Sequence, residues 1–329
     1  MSSASKLLEP ILALHESIRD AVVDACTRQA PEQLAATAGD AGDTIYAIDR
    51  VGEEALVRGL SALAREEPVC VVAEGIPDPL ILPRGARESD CRWRLLVDPL
   101  DGTRGLMYQK RSAWILTGVA PNGGATTRLS DIVLAVQTEI PVLKQHLSDQ
   151  VWALRGASMK ARRWNRVSGK AEPLTLRRSA AGTLAHGFAT IVRFFPGARE
   201  ILAAIDDEVV QALVKPEPRR AACFEDQYAS TGGELYELIA GHDRFIADLR
   251  PLVKSASLPP PLCCHPYDLC TALIAVEAGV IITDPSGAAV DAPLDLNTDV
   301  AWVGYANERL RAVVEPVLQA ALRRRGLLE

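Results

Sequence analysis

The sequence predicts an α+β chain built in layers, helices packed against sheets, and three observations predict it. Two helical patterns open the chain, a run of short β-rich segments follows, and helix and strand signals alternate beyond residue 178. The first helix rests on Ile11, Leu14, Ile18 and Val22, apolar at helical spacing within residues 7–26. The loop Gly39-Asp40-Ala41-Gly42-Asp43 separates it from a second helix through Ala55, Leu56, Leu60 and Leu63, whose start Asp43 would stabilise. Residues 69–73, 93–97, 114–120, 132–138 and 151–154 have the length and β-branched content of strands. A basic, polar stretch at 160–178 marks a change of composition, and the predicted division is an N-terminal α+β domain, 1–166, and a C-terminal α/β domain, 167–329. In the second half, strands are expected at 188–194, 245–249, 280–283 and 300–304, and helices at 197–213, 226–240, 268–278 and from Asn307 onward. The run Leu258-Pro259-Pro260-Pro261-Leu262 reads as a stiff loop, because successive prolines donate no ladder hydrogen bonds.

Composition narrows the classes of function. The 329 residues carry 36 Lys and Arg against 42 Asp and Glu, a net charge of −6, which argues against a dedicated nucleic-acid binder. Glu9, Glu16 and Asp20 interrupt the start of the chain where a secretory signal would be basic and then apolar. The most apolar stretch, 269–283, contains Glu277 and is too short to span a bilayer. Seven cysteines without regular spacing suit reduced thiols in a cytoplasm, and Cys263, Cys264 and Cys270 near His265 lack the paired spacing of a zinc site. No GxGxxG follows a strand, and His186, His242 and His265 show no nucleophile–base order. Arg162, Arg163 and Arg166 around Trp164 read as a solvated strand edge, and Lys215, Arg219 and Arg220 as solvent-facing side chains.

The sharpest local signal is Val97-Asp98-Pro99-Leu100-Asp101-Gly102-Thr103. An apolar strand delivers two carboxylates, three positions apart, into a turn where Pro99 fixes φ and Gly102 admits close backbone approach. A helical turn beginning at Asp101 or Gly102 would present free amides to an anion. Carboxylates beside an anion pocket repel a phosphate unless divalent cations lie between, and hard oxygen ligands select Mg²⁺. The plain alternative is an Asp-Pro turn with Asp101 capping a helix; the added Gly-Thr weighs toward metal-assisted phosphoryl chemistry.

Asp98-Pro99-Leu100-Asp101-Gly102-Thr103 resembles the DP(I/L)DGT signature of the inositol monophosphatase / fructose-bisphosphatase superfamily, Mg²⁺-dependent and often lithium-sensitive phosphatases. Three further segments follow the family's order. Asp43-Thr44-Ile45-Tyr46-Ala47-Ile48-Asp49 is similar to DxxTxxD, and Val72-Ala73-Glu74-Gly75 to the GEE segment after a strand. Tyr267-Asp268-Leu269-Cys270-Thr271-Ala272 with Val276-Glu277-Ala278-Gly279 is similar to WDxxAG…EAGG. The resemblance implies an alternating α-β-α-β-α sandwich and two or three Mg²⁺ ions held by Glu74, Asp98, Asp101, Asp268 and the carbonyl of Leu100. It implies that Asp49 and Thr103 orient and deprotonate a water, that the amides of Gly102 and Thr103 receive the phosphate, and that Tyr228 and Ser230 line the substrate. Read alone, Asp268 could equally be an N-cap.

The resemblance implies a phosphomonoesterase acting on a small phosphorylated polyol, sugar or nucleotide, a homodimer inhibited by Li⁺ near Asp101 and Asp268; composition adds the expectation of a cytoplasmic protein with no nucleic-acid or membrane partner. The sequence departs from the family at Gly75, where the second Glu of GEE is lost, at Tyr46 in place of Thr, and at Tyr267 in place of Trp. Pro261, Leu262, Cys263 and Cys264 stand where inositol-preferring members place a Glu, and residues 225–230 replace the GSAA-type stretch. Those departures motivate the alternative, a non-catalytic metal- or phosphate-binding regulatory descendant of the same fold.

Overall fold

The computed structural model describes residues 3–35, 37–38, 45–60, 62–65, 67–253 and 261–329. The chain runs α1 (Leu8–Arg28), α2 (Pro31–Leu34), β1 (Thr37–Ala38), β2 (Ile45–Tyr46), α3 (Ala47–Leu60), β3 (Val69–Ala73), β4 (Ile76–Leu82), β5 (Trp93–Asp101), α4 (Thr103–Met107), β6 (Ala113–Pro121), β7 (Leu134–Ile140), β8 (Leu147–Leu154), β9 (Lys160–Asn165) and β10 (Lys170–Leu174). It continues β11 (Phe188–Ile191), α5 (Arg199–Leu213), α6 (Thr231–Ala240), β12 (Asp243–Asp248), α7 (Ala272–Glu277), β13 (Ile281–Thr283), β14 (Trp302–Tyr305) and α8 (Glu308–Arg324). The loop at 39–43, with Asp43 and Thr44, and the prolines at 259–260 lie outside the described residues.

Eight strands form one sheet in the order β10-β9-β8-β7-β6-β5-β3-β4, antiparallel except for the β3–β5 pair. Four form a second, β11-β12-β14-β13, in which β11 and β12 are parallel. Helices α1 and α3 cover one face of the large sheet, α6 and α7 lie between the sheets, and α5 and α8 back the small one. The order is therefore α-β-α-β-α, as expected.

The central strands are apolar without alternation because both of their faces are covered. In β5, Trp93, Leu95 and Val97 join the core beneath α1 and α3, while Leu96 joins the core shared with the second sheet. Buried His15 on α1 fastens the outer helix layer to that sheet. Its Nδ1 lies 2.9 Å from Thr138 Oγ1 on β7 and its Nε2 2.8 Å from Thr117 Oγ1 on β6. Burial lowers its pKa to about 3, so the ring is neutral at ordinary pH.

Several boundaries move for local reasons. The expected helix at 226–240 begins at Thr231, because the Ser230 hydroxyl accepts from Gly233 N at 2.9 Å and caps it. The expected helix at 268–278 begins at Ala272, since residues 265–270 make tight turns, Asp268 N to His265 O at 3.1 Å among them. The basic segment is not a solvated edge. It is β9, flanked by β8 and β10, and Arg163 pairs with buried Asp149 at 2.6 Å while Arg162 reaches Glu16 at 2.8 Å. The boundary at 166/167 falls in the turn of the β9–β10 hairpin. All seven cysteines are free thiols, and no described helix is long and apolar enough to cross a membrane.

His15 sets an acid limit on stability. Its folded pKa lies below its unfolded value, so the unfolded chain binds the extra proton between about pH 3 and 6.5. Stability is full above that window and falls as pH drops through it. The variant His15→Gln should flatten the pH dependence of denaturant-unfolding free energy between pH 6.5 and 4 by close to one proton. An unchanged slope would remove His15 from the account.

Candidate metal centre

The centre begins with a parity problem in β5. Two residues three apart in a regular strand point to opposite faces. Between Asp98 and Asp101 the register against β6 slips, Asp98 facing Leu116 and Asp101 facing Trp114, so one residue is extra. Pro99 has no N–H for the ladder and is accommodated in that bulge. The extra residue restores parity and turns both carboxylates the same way. Gly102, at φ +93°, then bends the chain directly into α4.

Three other segments bring their groups to this turn. Parallel pairing of β3 with β5 places Ala73 beside Val97, and Glu74 N donates to Val97 O at 3.0 Å. The Glu74 carboxyl consequently meets and hydrogen-bonds that of Asp98. Asp268 arrives in the turn before α7, with Oδ2 accepting from His265 N at 2.6 Å. One ligand oxygen from each of Asp98, Asp101 and Asp268 lies within 4.8 Å of the others. From the opposite side, Asp49 in the first turn of α3 accepts from Tyr46 N at 2.7 Å through Oδ2. Its Oδ1 lies 2.7 Å from the Thr103 hydroxyl, which is also 2.9 Å from Leu100 O. That hydroxyl has one proton, so it donates to one of the two at a time.

The electrostatics are one-sided. Asp98 is held well above the usual carboxylate range by burial first, then by Glu74, Asp101 and Asp268. Asp268 is likewise raised by burial and Asp101. Burial pushes Asp101 up to about 6, although Gly232 N at 2.6 Å and Ser230 Oγ at 2.8 Å donate to its Oδ2. Glu234 on α6, close by, has both carboxylate oxygens buried without a partner and is also raised. The nearby cation Arg250 is already engaged, to Asp248 at 2.8 and 2.5 Å and to Leu262 O at 2.6 Å. Crowded hard oxygens of this kind fit a divalent metal of the Mg²⁺ type.

Glu74, Asp98, Leu100, Asp101, Gly102, Thr103, Ser230 and Asp268 line a cavity of about 70 Å³. Its outer wall is Arg104, Phe194, Phe195, Leu262, Cys263 and Tyr267. Arg104 lies 5.4 Å from the centre of the Tyr46 ring and 5.0 Å from that of Phe195, so the Tyr at 46 packs as part of the rim. Tyr228, expected beside a substrate, is turned away. Its hydroxyl donates to Ser112 O at 2.7 Å and accepts from Trp114 Nε1 at 2.9 Å, and it lines a separate cavity of about 450 Å³. Ser230 does reach the centre, as a donor to Asp101. Sequence reasoning missed Gly232, Arg104 and the Phe194–Phe195 pair; the Ser-Thr-Gly-Gly run at 230–233 is a capping signal that would have located the first. Glu277 closes α7 and accepts from Gly156 N at 2.6 Å, away from the cavity.

Raised carboxyl pKa values mean that the folded protein binds protons more tightly than the unfolded chain. For metal-free protein, Asp101 therefore costs stability increasingly as pH rises from about 4 through 6. Asp101→Asn in the presence of chelator should be the more stable form at pH 7.5, by about 1–2 kcal/mol, with the gap closing at pH 4. A gap independent of pH would mean that Asp101 is not charged at the expense of the fold.

No protein-family model matches the chain, and no curated protein matches it. Solved structures do. The extragenic suppressor protein SuhB from Bartonella henselae aligns over 95% of this chain and 98% of its own, with a TM-score of 0.66 and 18% identity. Fructose-1,6-bisphosphatase from Leishmania major, in holo form, aligns over 97% and 94%, with a TM-score of 0.70 and 14% identity. A hypothetical protein from Pyrococcus horikoshii with similarities to inositol-1 monophosphatase aligns over 96% and 99%, with a TM-score of 0.64 and 16% identity. The chain thus shares the layered fold of these three structures over nearly all of its length.

Proposed function

We propose that the protein is a Mg²⁺-dependent phosphomonoesterase acting on a small phosphorylated metabolite. The observation that carries the reading is the meeting of Asp98, Asp101 and Asp268, with Glu74 hydrogen-bonded to Asp98, beside an Asp49–Thr103 pair. Glu74, Asp98, Asp101, Asp268 and the Leu100 carbonyl would hold two or three ions. All but Asp268 come from residues 1–166, so the two predicted domains would both be needed for the centre. Bound there, Mg²⁺ would lower the pKa of a water and neutralise phosphoryl oxygens and the departing alkoxide.

The chain's own groups do the rest. Asp49, held by Tyr46 N, takes the Thr103 proton as a hydrogen bond, which leaves the Thr103 oxygen free to accept from a water and aim it. Asp49 is the ultimate proton acceptor of that pair. The amides of Gly102 and Thr103, at the start of α4, would receive the phosphate. Burial of the cluster strengthens each of these interactions relative to water. On the leaving-group side, Phe194, Phe195, Leu262 and Cys263 offer an apolar wall with Arg104 at its edge. No carboxylate stands at 261–264, which favours an ester with a planar or apolar face, such as a nucleotide, over a bare polyol.

Release of inorganic phosphate from a panel of nucleotide, sugar and polyol monophosphates should require Mg²⁺ and be lost in chelator. Asp49→Asn should lower kcat by on the order of 10²–10⁴. Li⁺ at millimolar concentration should inhibit by competing near Asp101 and Asp268, and light scattering should report a homodimer. Mg²⁺ binding without turnover of any ester, with Asp49→Asn indistinguishable from the parent, would instead identify a regulatory protein.

A further inference from the structure

The turn after Glu74 contains a feature that the proposed chemistry does not use. Gly75 sits at φ +76°, and a methyl group added there would overlap the carboxylate of Glu53, with Glu53 Cδ only 2.6 Å away. The space that a side chain at position 75 would fill is therefore occupied by a carboxylate from α3. Glu53 follows Asp49 by four positions, so both project from the same face of the helix. The two acidic groups are close enough to repel. Glu53 is half-buried, and no hydrogen bond or ion pair holds its carboxylate among the described residues. A surface glutamate in that position would be free to turn into solvent; this one is packed over a glycine, between the helix that carries Asp49 and the turn that carries Glu74.

We infer that Glu53 is a positioning residue for the proposed metal centre, its carboxylate seated on Gly75 to orient water around a divalent cation on the Glu74–Asp49 side. Gly75 is the other half of the device, since any larger residue would displace Glu53. The arrangement places a negative oxygen over Gly75, the one position of the β3–β4 turn that has no side chain. Glu53 attracts the cation and its waters without needing to touch the phosphate, so its contribution appears in metal affinity before it appears in turnover. The inference rests on the Mg²⁺ centre proposed above.

Calorimetric titration of the intact chelator-treated protein with Mg²⁺ alone tests it. Glu53→Gln keeps the shape and removes the charge, and should weaken Mg²⁺ binding by about tenfold or more. The melting temperature of the metal-free variant should equal or exceed that of the parent, because a repulsive charge beside Asp49 is gone. Gly75→Ala should weaken Mg²⁺ binding as Glu53→Gln does, and the double variant should lose no more than the worse single one, as expected for residues acting through one contact. Equal Mg²⁺ affinity in the parent and Glu53→Gln overturns this inference and leaves the phosphatase reading standing. Additive losses in the double variant overturn the Gly75 seat, and a parent that binds no Mg²⁺ overturns both readings together.

Discussion

Four carboxyl groups gathered in one buried place dominate this structure. Asp98, Asp101 and Asp268 crowd within 4.8 Å, Glu74 is hydrogen-bonded to Asp98, and Arg250 in the cavity wall is committed to Asp248. Like charges in a low-dielectric setting oppose folding unless protons or cations are drawn in. The fold tolerates this because each group is held by backbone: Asp98 by Leu100 N, Asp101 by Gly232 N, Asp268 by His265 N, and Glu74 through its own amide on Val97. The layers on either side keep those backbone segments in place. What is unfavourable in the metal-free protein would become the driving force for binding a divalent ion at the proposed centre.

The architecture explains why such distant residues meet. Parallel pairing of β3 and β5 brings their carboxyl-terminal ends together, so Glu74 and Asp98 are neighbours although twenty-four positions apart. Helix α6 lies between the two sheets, and its amino-terminal turn, capped by Ser230, faces Asp101. Asp268 precedes α7 in the same middle layer. The outer helices reach in from the other side, with α3 carrying Asp49 and Glu53. The centre therefore draws on both halves of the chain and on three successive layers, the outer helices, the large sheet and the middle helices.

Much of this was legible in the sequence. The Asp98–Thr103 run, the order of its companion segments and the apolar strands that deliver them point to the layered fold that the chain adopts. Of the residues singled out there, Asp98, Asp101 and Asp268 meet within 4.8 Å, and Thr103 lies 2.7 Å from Asp49. Other features depend on tertiary context that periodicity does not report. The start of α6 was set by a Ser hydroxyl and not by the apolar pattern, and Tyr228 was drawn to Trp114 and Ser112 because a buried phenol needs polar partners. The arginines of β9 looked solvated in the sequence because their partners, Asp149 and Glu16, come from other elements. Glu53 over Gly75 is a steric relation between a helix and a turn, and no linear motif encodes it.

The central claim is that the cluster exists to hold hard divalent cations, and diffraction from crystals soaked in Mn²⁺ tests it most directly. Anomalous scattering should reveal at least two ions about 2.0–2.2 Å from carboxylate oxygens, with Asp98 shared between them and Asp101 and Asp268 on one side. A fully occupied Mn²⁺ soak with no anomalous peak within reach of Asp98, Asp101 and Asp268 would contradict it.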